Sequence, residues 1–180
     1  MTQENKALYS QNDREKHNRN KTRVRILGVG IVGLIAGIAI TTVLVIVLMP
    51  GMMIVTKQSR FGFEETVTKI EQGIPAIGWA SPGTTNMNKS MAKHGVEFVP
   101  RVHVIKMCKP EYAKEVLKSD RYVSCLMPCS VAVWESDDGK VYVSKMNTGL
   151  MGKMFGGTIA EVMGNKVSRD EHKLLNDITM

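Results

Sequence analysis

The chain has 180 residues, 43% of them apolar and 23% charged, with three cysteines and a net charge of +7. This composition excludes a disordered polypeptide, which has too little to bury, and a disulfide-stapled miniprotein, which needs more cysteines. The positive charge does not point to nucleic acid, because it is concentrated at one end: residues 57–180 carry 17 Lys+Arg against 14 Asp+Glu.

Residues 1–25 form a basic leader in which Lys6, Arg14, Lys16, Arg19, Lys21, Arg23 and Arg25 outnumber Glu4, Asp13 and Glu15. Neither an aromatic platform nor a binding fold accompanies these cations, so no nucleic-acid arm is expected. They are read as a cytoplasmic segment that sets orientation and is drawn to anionic lipid. Residues 26–49 follow as a transmembrane signal-anchor helix. From Ile26 to Thr56 there is no charged residue, and Thr41, Thr42 and Thr56 are the only polar side chains. About 20 apolar residues in a helix cross a hydrocarbon core, and this run is longer. Pro50-Gly51 is expected to end it. No A-x-A site follows, so the helix is read as uncleaved. With cations kept inside, the N-terminus is cytoplasmic and the rest of the chain lies in the periplasm or outside the cell.

Within this run Gly28-Val29-Gly30-Ile31-Val32-Gly33 has the G-x-G-x-x-G spacing of a dinucleotide loop. Such a loop needs an acid about 20 residues on, to hold the ribose. Position 50 is Pro50, and the first carboxylates are Glu64 and Glu65. No nucleotide is therefore expected. The glycines have another use: Gly33, Gly37 and Thr41 recur every four residues, and a stripe of small residues lets a second helix approach closely. The partners expected are the lipid bilayer and either a second copy of the chain or a membrane-complex subunit.

Residues 50–60 read as a linker with a first strand, 61–165 as one exported α+β domain and 166–180 as a polar tail. In "GFEETVTKIEQGI" the residues Phe63, Val67, Ile70 and Ile74 have helical spacing. "PAIGWAS" reads as a strand. "GTTNMNKSMAKHG" reads as turn with a short helix closed by Gly95. "VHVIKM" alternates as a strand does, and "PEYAKEVLKSD" opens a helix with Pro110 at a favoured first position. "CSVAVWE" and "VYVSKM" are strands joined by Ser-Asp-Asp-Gly, a hairpin signal that makes the sheet mixed or antiparallel. Asp137 and Asp138 are solvated turn residues there. "TGLMGKMFGGTIAEVMG" reads as one glycine-interrupted amphipathic helix. Strands and helices in this mixture give a single compact α+β domain.

The stretches "VHVIKMCKPEYAKEVLKSD" and "CLMPCSVAVWESDDGKVYVSKMNTGLMG" resemble the family termed domain of unknown function 302. Met127-Pro128-Cys129 followed by the hairpin carries most of the likeness, over roughly residues 52–165. "MFGGTIAEVM" is similar to membrane-anchored members. The resemblance implies a compact α+β fold, a dimer, and a bacterial or archaeal source. It implies no activity and brings no site residues.

The candidate site residues are Cys108, Cys125, Cys129, His94 and His103. Cys108 lies between a strand and a helix start, where amide dipoles together with Lys106 and Lys109 would favour the thiolate. Cys129 opens a strand and shares its face with Val131 and Val133. Cys125 and Cys129 are ~13 Å apart in an extended chain, too far to bridge directly, unless a turn at Met127-Pro128 brings them together. Three readings stand together. The cysteines are inert or form a Cys108–Cys129 bridge, they are redox thiols, or with the histidines and nearby methionines they hold a metal or haem. Thiolate and thioether suit soft ions, so copper or haem are the candidate cofactors, although no standard zinc or haem-attachment spacing is present. Met151 and Met154 fit copper or, equally, the apolar face of a helix. His103 in a strand and His94 near a helix end each also have an ordinary structural reading. No nucleophile elbow, H-E-x-x-H or P-loop is present, so the chain is read as an accessory or binding module at a membrane surface, with a structural subunit of a membrane complex as the alternative.

Overall fold

The computed structural model describes residues 33–180, so the basic leader, residues 26–32 of the expected span, and Gly28 and Gly30 lie outside the described residues. The chain divides into two units, one ending at Met49 and one running from Pro50 to Met180. Helix α1, Gly33–Met53, has 21 residues and a mean hydropathy of 2.4, and its most apolar stretch buries nothing. It is long and apolar enough to cross a hydrocarbon core. The Thr41 and Thr42 hydroxyls donate to the carbonyls of Gly37 and Ile38, each at 2.8 Å, so both are satisfied inside the helix. Contrary to the expected stop, the helix passes through Pro50 and Gly51. A proline in the last turn removes only one hydrogen bond, which a long helix tolerates.

The second unit is an α+β domain with five antiparallel strands in the order β1-β5-β4-β3-β2. These are β1 (Ile54–Gln58), β2 (Ala80–Asn86), β3 (Val102–Cys108), β4 (Cys129–Glu135) and β5 (Val141–Met146). The hairpin between β4 and β5 turns at Gly139, whose φ of 77° suits glycine. Helix α2 (Phe63–Ala76) buries Phe63, Val67, Ile70 and Ile74, the stripe that its sequence spacing announces. A short helix α3 (Met87–Ala92) precedes β3, and α4 (Pro110–Ser119) follows it. The core lies between the helices and one sheet face, with Ile105 and Met107 of β3, Val131 and Val133 of β4, and Val141 and Val143 of β5 all buried. On the other face Trp134 stacks on Tyr142 at 4.7 Å, and both remain partly exposed.

Several sequence expectations are corrected. "PAIGWAS" is not a strand: α2 continues to Ala76, Gly78 turns the chain at φ 74°, and pairing starts at Ala80. β2 instead takes in Gly83, Thr84 and Thr85, read from sequence as turn. The helix expected after β5 is two segments. Helix α5 (Thr148–Phe155) stops at Gly156 and Gly157, both at positive φ. A short α6 (Gly157–Ile159) then leads into a π-helical segment, Ala160–Val167. These pack back on α5 so tightly that a Cβ on Gly152 would stand 2.5 Å from the Gly164 Cα. The polar tail is folded. Helix α7 (Ser168–Leu175) buries Glu171, Leu174 and Leu175, and Thr179 bridges to Ser59 beside β1. Its many charges hid an apolar stripe of Leu174, Leu175 and Ile178.

Candidate functional site

Strand register brings two cysteines together. Cys129 lies opposite Met107, and Cys108 is the next residue along β3. Helix α4 starts immediately after, at Pro110, and residues of the π-helical segment complete the lining. Cys108 and Cys129 line one cavity of ≈ 20 Å³, and Met107, Met127 and Met163 line it too. Five sulfur-bearing residues from four segments of the chain thus line one small apolar space.

Its polar wall is an organised cluster. The Trp79 Nε1–H donates to Asp170 Oδ2 at 3.0 Å, and Lys109 Nζ stands 3.4 Å from the same oxygen. The Lys109 ammonium also lies 4.5 Å from the centre of the Tyr112 ring, which meets Trp79 edge-on. Burial pushes the Asp170 carboxyl up, but the Trp79 hydrogen bond and the Lys109 charge outweigh it, holding the group below its ordinary value.

Burial disfavours the thiolate form of both cysteines. Burial pushes Cys129 up to about 12, with the charge of Glu171 adding to the effect and Lys145 opposing it. Burial also raises Cys108, and Glu111 adds to it. The thiolate expected at Cys108 from its place before a helix is therefore corrected: desolvation outweighs the dipole, and Lys109 is turned to Asp170 and Tyr112.

The other sequence candidates lie elsewhere. Cys125 is exposed in a 3₁₀ segment (Arg121–Leu126), its thiol donating to the Tyr122 carbonyl at 3.5 Å. His94 is exposed beyond α3. His103 is on β3, five residues and ~16 Å from Cys108, edge-on to Phe63 at 5.0 Å and with Nδ1 buried without a hydrogen-bond partner among the described residues. All three cysteines are free. Among the described residues no three His, Cys, Asp or Glu side chains are grouped as a metal site, so the five-residue ligand set is not assembled. Met151 and Met163 are buried, whereas Met154 is exposed. Around Gly33 and Gly37 a Cβ would meet nothing within 4 Å.

Sequence reasoning missed Trp79, Asp170, Lys145 and Glu171. Lys145 Nζ donates to Glu171 Oε2 at 2.7 Å, and the Thr148 hydroxyl donates to the same oxygen at 2.9 Å. One signal was legible. In Val141-Tyr142-Val143-Ser144-Lys145, alternation puts Lys145 on the buried face of Val141 and Val143, where a lysine needs a counter-charge.

The model of the family described as Domain of unknown function DUF302 matches residues 55–178. No curated protein matches the sequence. Among solved structures, an uncharacterized conserved protein DUF302 from Bacillus stearothermophilus aligns with a TM-score of 0.62 at 17% identity, covering 70% of this chain and 98% of that one. At that identity the likeness is one of fold.

Proposed function

Because the chain belongs to the DUF302 family, whose description names no activity, we propose a function from the site itself: a membrane-anchored binding module that takes a soft metal ion, Cu(I) in the first instance, in the sulfur-lined cavity. The observation that carries this reading is the convergence of Cys108, Cys129, Met107, Met127 and Met163 on one space of ≈ 20 Å³. Thiolate and thioether are the donors that soft ions select. The size favours an ion over a macrocycle such as haem. A bound cation offsets the charge of buried thiolates, which apolar surroundings otherwise disfavour.

The apolar helix Gly33–Met53 and the basic leader support a tether with the N-terminus in the cytoplasm and the domain in the periplasm or outside the cell. In intact cells, an impermeant maleimide reaches exposed Cys125 from outside if this topology holds, and only after lysis if it does not.

Copper is tested on the full chain in detergent by competition with a Cu(I) chelator. One ion per chain is expected, retained in Cys125→Ser and lost in the Cys108→Ser/Cys129→Ser double variant. A wild-type chain that binds no copper, or a double variant that binds as well, favours the second reading, a structural subunit of a membrane complex with inert cysteines. The full burial of Met107 among core side chains is the observation behind that alternative.

A further inference from the structure

A second cavity, of ≈ 150 Å³, opens between β1, β5 and α7. It has room for a small molecule, since one water needs only ~10–15 Å³ by this measure. Lys145 and Glu171 stand at its wall, and Glu171 is 1% exposed. Burying both charges is costly, and apolar residues of similar volume often serve stability better. An ion pair kept at the wall of a cavity is therefore a candidate ligand contact.

The remaining lining fixes the ligand's class. Glu171 is the sole carboxylate among the lining residues, and its Oε2 accepts from both Lys145 and Thr148. Lys57 and Ser168 also line the space and have no hydrogen-bond or ion-pair partner among the described residues. The Asn147 side chain is committed, donating to the Met52 carbonyl and accepting from the Leu150 N–H. What is left is one net positive charge, on the exposed Lys57, with the Ser168 hydroxyl and the His172 imidazole, beside the apolar walls of Val55, Val143 and Leu175.

We propose that this cavity binds a small organic monoanion, a short-chain carboxylate, with its charge between Lys57 and Lys145 and its apolar body against Val55, Val143 and Leu175. Lys145, held by Glu171, is a preorganised donor, and Lys57 supplies the unpaired charge. The site is separate from the sulfur cavity and does not depend on copper.

The test uses the full chain in lipid nanodiscs, titrated calorimetrically with propionate, propionamide and propylammonium. Propionate binds with one site per chain, and the neutral amide and the cation do not. Lys57→Gln weakens propionate binding about tenfold, the size of effect expected of one charge-assisted contact. Lys145→Met/Glu171→Leu removes both buried charges, keeps the fold by thermal unfolding, and abolishes binding. Propionamide binding as well as propionate, no propionate binding, or binding unchanged in both variants would each overturn the proposal.

Discussion

Cys129 and Lys145 project from the same sheet face, with Val131 the register partner of Lys145 and Cys129 two residues before it, yet they enter cavities of opposite chemistry. One is small, lined with sulfur and aromatic rings, and disfavours the thiolate form. The other is larger and walled by a buried ion pair. Two consecutive residues of α7 serve them separately: Asp170 serves Trp79 and Lys109, and Glu171 serves Lys145 and Thr148. A helix places neighbouring side chains about 100° apart, so one helix equips two sites.

The sharpest way to break this division is Glu171→Ala. It leaves the Lys145 ammonium buried without a partner, and chemical denaturation should show a loss of about 3–5 kcal/mol. Lys145→Met/Glu171→Leu should restore most of it. Gly152→Ala acts on the wall of the sulfur cavity. Its Cβ would stand 2.5 Å from the Gly164 Cα and 2.7 Å from the Gly164 N, so the segment carrying Met163 must move, costing about 1–3 kcal/mol. Gly37→Ala, with open space around it, leaves the domain's unfolding curve unchanged.

Asp170→Asn keeps the shape of the carboxylate but weakens its bonds to Trp79 and Lys109. About 1–2 kcal/mol is expected, with a change in tryptophan fluorescence that Glu171→Gln does not reproduce. Since the folded value of Asp170 is depressed, its contribution is present above the unfolded carboxyl value of 3.8 and is lost as pH falls through the lower folded one. Cys129 has the opposite sign. Its folded value is raised, so its contribution is intact below the ordinary thiol value of 9.0 and is lost as pH rises from there through about 12. The smallest effect is kinetic. Alkylation at pH 8 should modify exposed Cys125 first and Cys129 last, and in Cys129→Ser the slowest phase disappears.

Much of the fold was legible because its signals are local. The period of Phe63, Val67, Ile70 and Ile74 marks α2, Pro110 marks the start of α4, and Ser-Asp-Asp-Gly marks the hairpin. The long uncharged run marks α1. Not foreseen was the close approach of Gly152 and Gly164 inside the domain, in a stretch read as one helix because its break, at Gly156 and Gly157, looked like an interruption. The site was half legible: Cys108 and Cys129 were singled out, while Trp79, Asp170, Lys145 and Glu171 were not. Trp79 and Asp170 are 91 residues apart and Lys145 and Glu171 are 26 apart, so no window of sequence contains the reason for either contact.

By itself the sequence determined the apolar helix, the identities of most strands and helices, and the α+β class, since each follows from side-chain period and turn chemistry within a few residues. Only the tertiary structure decided that the C-terminal segment is a helix bearing Asp170 and Glu171, that Cys108 and Cys129 line one cavity, and that the Cys108 thiol is pushed up and not down. Those outcomes depend on which distant surfaces bury one another, and desolvation is a property of the packed neighbourhood and not of the adjoining residues.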